Sequence, residues 1–130
     1  MAEKILVVED DPAALRLVSF TLESAGYQVI PAVNGVEGLR KAQQEAPDLV
    51  VLDVMLPGID GFEVCHRLRS NPAAPQGRLP ILMLSAKSQE ADRAMGEKVG
   101  ADLYLPKPAT PEEITAAVGS LLSQREDRDA

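Results

Sequence analysis

Asp48-Leu49-Val50-Val51-Leu52-Asp53-Val54-Met55-Leu56-Pro57-Gly58 is the stretch on which the reading of this chain turns. Leu49 to Leu52 run without a polar break and stop at a carboxylate. Such a run suits a strand buried on both faces of a parallel sheet. Pro57-Gly58 then forces a turn, so Asp53 falls at the carboxyl end of a central strand. Ligands of open α/β sheets bind outside those ends. A turn or helix-capping aspartate fits the stretch about as well, and the flanking chain has to decide between the two.

Upstream, Lys4-Ile5-Leu6-Val7-Val8 reads as a first strand ending at Glu9-Asp10-Asp11-Pro12. Asp11 suits a helix N-cap and Pro12 a first helical residue. Leu15, Val18 and Leu22 then share one helical face, and Gly26 closes the helix. Residues 27–31 form a second, shorter strand. Asn34 caps a second helix with Val36, Leu39 and Ala42 facing inward, and Pro47 stops it. Downstream of Asp53, Phe62, Cys65 and Leu68 mark a helix from about Gly61 to Ser70, and residues 71–79 read as a loop. Residues 80–85 are a fourth buried strand ending in Ser85. The next helix, residues 89–99, has a thin inward face (Ala91, Ala94, Met95, Val99), which predicts a loosely held element. After Gly100, residues 102–105 make a fifth strand, followed by Pro106-Lys107-Pro108. A last helix from near Pro111 sets Ile114, Ala117, Val118, Leu121 and Leu122 on one face. Five strands alternating with five helices predict a doubly wound parallel sheet covered on both faces.

The chain has 130 residues, one domain's worth. We expect the domain to occupy residues 1–124, with 125–130 a polar tail that frays. With 45% hydrophobic and 25% charged residues it can build an ordinary core without staples. Thirteen basic and 20 acidic side chains leave a formal charge of −7. That sign argues against direct nucleic-acid contact by this domain and favours a bound cation or a basic partner. The single Cys65 excludes an internal disulfide. No apolar run suits a membrane span or a signal peptide, so the expectation is a cytoplasmic protein.

The chemistry follows from the architecture. Parallel strands share one carboxyl edge. Strand one delivers Glu9 and Asp10 there, strand three Asp53, strand four Ser85, and Lys107 follows strand five. At about 4 Å and an effective dielectric near 20, each like-charged carboxylate pair costs roughly 4 kcal/mol. The cluster must therefore be protonated, paired with lysine or bound to a cation. Oxygen donors without Cys or His select a hard ion, and Mg²⁺ fits best. A solvated acidic rim is the plain alternative. Lys107 and Ser85 weigh against it, because a phosphoryl group would want an ammonium and a hydroxyl as well as the metal.

On these residues the chain resembles the receiver domains of two-component response regulators. The resemblance runs from Lys4 to about Leu122. It rests on Ile5-Leu6-Val7-Val8-Glu9-Asp10-Asp11-Pro12, on Leu52-Asp53-Val54-Met55-Leu56-Pro57-Gly58 with Asp60-Gly61, on Leu84-Ser85-Ala86, and on Gly100-Ala101-Asp102 with Tyr104-Leu105-Pro106-Lys107-Pro108. It implies a flavodoxin-like fold of strand order 2-1-3-4-5, an order the general description of that fold already carries for this family. It implies that Asp53 accepts a phosphoryl group from a histidine kinase or a phosphotransfer protein. Asp10, Asp53 and the Met55 backbone carbonyl would hold Mg²⁺, and Glu9 would act through water. Lys107 would pair with Asp53 and then with a phosphoryl oxygen, Ser85 would bond another, and Lys107-Pro108 would be cis. Ser85 and Tyr104 would carry the switch, altering the surface of helix four, strand five and helix five. Driving such an element from 1:99 to 99:1 takes about 5.5 kcal/mol. Met55 and Lys87, two residues after Asp53 and Ser85, would tune the phosphoryl lifetime.

The resemblance further implies a downstream effector domain or protein, and homodimers through the helix four, strand five and helix five face. Here that face departs from many relatives. Ala109 stands where they carry an aromatic residue, and helix five has no basic residue from 111 to 123. Arg93 and Glu113 remain one candidate ion pair. His66 reads as a solvated helix residue and Cys65 as packing. Two other functions compete. A haloacid-dehalogenase-like phosphatase needs a carboxylate two residues after its nucleophile, where this chain has Met55. An interaction module that works without phosphorylation would not need the full set of acidic, hydroxyl and lysine groups.

Overall fold

A computed structural model describes residues 2–70, 79–87 and 89–129. The loop expected over 71–79 falls, apart from Leu79, outside the described residues. The elements run β1 (Lys4–Val8), α1 (Pro12–Ser24), β2 (Gln28–Ala32), α2 (Gly35–Glu45), β3 (Leu49–Leu52), α3 (Gly61–Ser70), β4 (Ile81–Ser85), α4 (Glu90–Val99), β5 (Leu103–Pro106) and α5 (Pro111–Asp129). All neighbouring strands are parallel, in the order β2-β1-β3-β4-β5.

Side chains alternate across the sheet with period two. Ile5, Val7, Leu49, Val51, Leu82 and Leu84 face α1 and α5, where they meet Val18, Leu22, Ile114, Val118 and Leu121. Leu6, Val8, Val50, Leu52, Ile81 and Met83 face the other way, toward Ala42, Val64 and Cys65. Both faces are covered, which is why β1, β3 and β4 are apolar at nearly every position.

Helix α1 begins as its sequence predicts. The Asp11 side chain accepts from the Ala14 amide at 3.2 Å, and Gly26 follows the helix at φ +98°. Asn34 caps α2 by accepting from the Glu37 amide at 2.8 Å. The inward face of α2 differs from the expected one. Val36 is 66% exposed, and Gly35, Gly38 and Ala42 are buried. A Cβ on Gly38 would lie 2.9 Å from a Val8 methyl. The helix packs through its glycines, which turns Val36 to the surface.

Helix α4 also departs from expectation. Ala91, Ala94 and Met95 are exposed, Gly96 is the buried residue and Val99 is half-buried. The thin attachment is thus thinner than the apolar pattern suggested. Helix α5 runs through Asp129, into the stretch from residue 125 expected as a polar tail. Arg125 accounts for part of this: its guanidinium donates to the Asp48 carbonyl at 2.8 Å and lies 3.3 Å from the Asp48 carboxylate.

Candidate functional site

Register brings the site together. Val8 pairs with Leu52, Leu52 with Met83, and Ser85 with Pro106. The residues that follow these positions therefore emerge on one edge. Backbone bonds hold them there: the Glu9 amide donates to the Ala32 carbonyl at 2.9 Å, the Asp53 amide to Val8 at 3.1 Å, and the Lys107 amide to Ser85 at 2.8 Å.

Glu9, Asp10 and Asp53 converge, each offering a carboxylate oxygen within 4.8 Å of the others. Glu9 and Asp53 are buried and Asp10 is exposed. Lys107 reaches into the same space, and the Lys107-Pro108 bond is cis, as expected. Its Nζ lies 2.5 Å from Glu9 Oε1 and 3.6 Å from Asp53 Oδ2. Lys107 therefore faces both carboxylates, with Glu9 the nearer and Asp53, its expected partner, within ion-pair range. The reason is reach: Glu is one methylene longer than Asp, which lets its carboxylate approach the ammonium from β1.

Glu9 Oε2 accepts from the Asp11 amide at 3.1 Å. Burial pushes the Glu9 carboxyl above its ordinary pKa, Lys107 and the Asp11 amide oppose that rise, and the charge of Asp53 adds to it. Burial works against the charge of Lys107, yet the bond to Glu9 and the field of Asp53 outweigh it, and its pKa is raised. The two directions are compatible: Lys107 faces two carboxylates, whereas Glu9 shares its one nearby ammonium with Asp53.

Asp53 is held from its own loop. Its Oδ1 accepts from the Met55 amide at 3.2 Å. The Met55 side chain is exposed beside it. Gly61 closes that loop: its amide donates to the Val54 carbonyl at 2.9 Å, and a Cβ there would stand 2.2 Å from the Asp53 carbonyl oxygen. No side chain fits. In the sequence, the one sign of this role is the place of Gly61 at the start of a predicted helix. Asp60 caps α3 by accepting from the Glu63 amide at 2.9 Å.

Ser85 is fully buried at the end of β4, and its Oγ accepts from the Lys87 amide at 3.3 Å. The Lys87 side chain is exposed. The Tyr104 ring is half-buried against the Leu6, Val8 and Met83 side of the core. Its hydroxyl donates to the Lys87 carbonyl. Burial raises the Tyr104 pKa, the Ser85 hydroxyl opposes that rise, and Asp92 and Asp53 add to it. The structure thus gathers Glu9, Asp10, Asp53, Ser85 and Lys107, with Met55 and Lys87 at the rim and Tyr104 behind Ser85. His66 is exposed on α3. Glu113 is engaged with Thr110 in a reciprocal cap at the start of α5, with bonds of 2.9 and 3.1 Å.

A second polar cluster, joining residues far apart in sequence, lies outside the site. Arg69 donates to the Gly100 carbonyl at 2.9 Å, the Leu79 carbonyl at 2.6 Å and the Asp102 carboxylate at 2.7 Å. It ties the end of α3 to the end of α4. Among the described residues no helix is long and apolar enough to cross a membrane.

Comparison with known proteins agrees with this geometry. Residues 5–119 match the family model described as the response regulator receiver domain. The alkaline phosphatase synthesis transcriptional regulatory protein PhoP of Bacillus subtilis is 48% identical over 97% of this chain and 51% of its own length. The DNA-binding dual master transcriptional regulator RpaA of Synechocystis is 49% identical over 96% of this chain and 51% of its own. The chain spans about half the length of these curated relatives. Among solved structures, the chemotaxis response regulator CheY4 of Vibrio cholerae superposes with a TM-score of 0.85 at 34% identity, covering 93% of this chain and 99% of that one. The BeF₃-activated N-terminal receiver domain of Klebsiella pneumoniae RstA gives 0.83 at 33% identity, covering 92% and 97%. Register, the carboxylate cluster and these matches agree that the chain belongs to the receiver domains of two-component response regulators.

Proposed function

We propose that Asp53 is the phosphoacceptor of this receiver and that its phosphorylation switches the α4–β5–α5 face. The observation carrying this reading is a buried Asp53 with an ammonium 3.6 Å away and two further carboxylates beside it. An Asp53 carboxylate oxygen attacks the phosphorus of a phosphohistidine on a kinase or phosphotransfer protein. The new P–O bond forms as the P–N bond breaks, the imidazole leaves with a proton, and the product is an acyl phosphate. Positioning and charge neutralisation supply most of the catalysis in such transfers.

The donor set fits a hard cation, since it is all oxygen and Lys107 offsets only part of the charge of three carboxylates. Asp10, Asp53 and the Met55 backbone carbonyl would hold Mg²⁺, with Glu9 acting through water, and the ion would neutralise charge on the phosphoryl oxygens. Lys107 moves from the carboxylates to a phosphoryl oxygen, and Ser85 donates to another. Met55 shields the acyl phosphate and Lys87 meets outgoing water or a partner. Ser85 turning toward the phosphoryl group changes what Tyr104 packs against, and α4 responds.

The transcriptional-regulator names of the longer relatives support an effector domain or partner that reads this face, with homodimerisation through it as one output. The protein then acts as a stoichiometric switch, without turnover of a substrate pool. Incubation with acetyl phosphate and Mg²⁺, followed by intact mass and peptide mapping, tests the assignment. One Mg²⁺-dependent phosphoryl adduct on Asp53, absent in Asp53→Asn, is the expected result. No adduct from acetyl phosphate or from any of a panel of histidine kinases would favour an interaction module independent of phosphorylation.

A further inference from the structure

We propose that Gly96 is a positioning residue for Tyr104: the missing side chain at 96 is the recess that admits the tyrosine ring beneath α4 and holds it against the Lys87 carbonyl. The proposal deepens the switch reading above and rests on it for its functional meaning.

Gly96 is the one buried residue of α4, in the middle of a helix whose other residues are exposed or half-buried. Glycine is the poorest helix former after proline, so an internal one needs a reason. Backbone conformation supplies none, since Gly96 is not among the positive-φ glycines of the described residues, which are Gly26, Gly58 and Gly100. Packing does: a Cβ at 96 would lie 2.9 Å from Tyr104 Cδ2 and 3.2 Å from Met83 Sδ.

Thinly attached along most of its length, α4 is nonetheless tied at its C-terminal end, next to such a Cβ. One turn further on, Arg69 holds the Gly100 carbonyl at 2.9 Å, and the Ala101 amide bonds the Gly96 carbonyl at 2.9 Å. With that end tied, the ring has to give. Moving it breaks the bond from the Tyr104 hydroxyl to the Lys87 carbonyl, and the Lys87 amide in turn bonds Ser85 Oγ at 3.3 Å. Gly96 is thereby connected through Tyr104 and the Lys87 backbone to the hydroxyl at the phosphoryl site.

The chain has two tyrosines and no tryptophan, so Tyr27→Phe leaves Tyr104 as the sole fluorescent reporter. In that background Gly96→Ala is expected to shift acrylamide quenching of Tyr104 toward that of a free phenol. Unchanged quenching in a folded Gly96→Ala protein would overturn the proposal. If Gly96→Ala does not fold, Gly96→Ala combined with Tyr104→Ala decides: recovery of a cooperative melt supports the recess, and an equally unfolded double variant overturns it. Acetyl phosphate labelling of the Tyr27→Phe parent is read separately. A missing adduct there, with acetyl phosphate and with every kinase of the panel, would sink the phosphoacceptor reading while leaving the quenching result to judge Gly96.

Discussion

Replacing Lys107 by Ala isolates the electrostatic logic of the site. The substitution leaves Glu9, with a side chain only 5% exposed, facing Asp53 without the ammonium now 2.5 Å away. Two carboxylates at 4.8 Å or less repel by at least about 3.5 kcal/mol at an effective dielectric near 20. Breaking a fully buried pair by removing one partner costs about 3–5 kcal/mol. Lys107 is 26% exposed, so water recovers part of that, and about 2–3 kcal/mol is the expected loss. For a domain of this size that corresponds to roughly 7–15 °C in melting temperature. The assay is thermal unfolding in EDTA for wild type, Lys107→Ala, Glu9→Gln and the double variant. Glu9→Gln should recover most of the loss in the Lys107→Ala background, and so should Mg²⁺. The burial-raised pKa of Glu9 sets the pH sign. Protonation of Glu9 relieves the repulsion, so the deficit of Lys107→Ala should shrink as pH falls through the folded-state pKa of Glu9, above its ordinary value. A Lys107→Ala protein as stable as wild type at neutral pH, or a double variant no better than the single one, would refute this account.

Three further outcomes follow from the same geometry. Gly61→Ala places a Cβ against the Asp53 carbonyl, where backbone has to move; we expect about 3 kcal/mol lost in urea unfolding, consistent with the upper end of overpacking costs, and slower acetyl phosphate labelling. Arg69→Lys swaps a planar fork that serves the Gly100, Leu79 and Asp102 acceptors for a point charge; faster amide exchange at the end of α4 is expected, with Asp53 labelling retained. Both tyrosines should ionise above the ordinary phenol range in an absorbance titration, because burial raises both and Glu3 adds to Tyr27. Their folded-state pKa values are raised, so the associated stability is present below about pH 10 and is lost as pH rises through those values. Tyr27→Phe should flatten that alkaline decline.

The strands and their order of appearance were readable because buried parallel strands carry unbroken apolar runs bounded by turn residues, as at Leu49 to Leu52. Capping was equally readable at Asp11 and Asn34, since it depends on neighbours three residues away. Helix faces were less so. Val36 and Ala91 obey the apolar pattern but lie at the surface, because the inward positions belong to Gly38 and Gly96, which a hydrophobicity pattern does not count.

The candidate site divides along the same line. Glu9, Asp10, Asp53, Ser85 and Lys107 could be named from the sequence because each sits at the end of a strand or just past it, and parallel strands deliver such residues to one edge. Which carboxylate holds the lysine was decided only in three dimensions, by the extra reach of Glu9 across register with Asp53. The Arg69 clamp and the close approaches at Gly61 and Gly96 were likewise tertiary. Local chemistry writes strands, caps and the order of chemical groups into the sequence. Distances between groups dozens of residues apart arise only when the sheet register and helix packing bring them together.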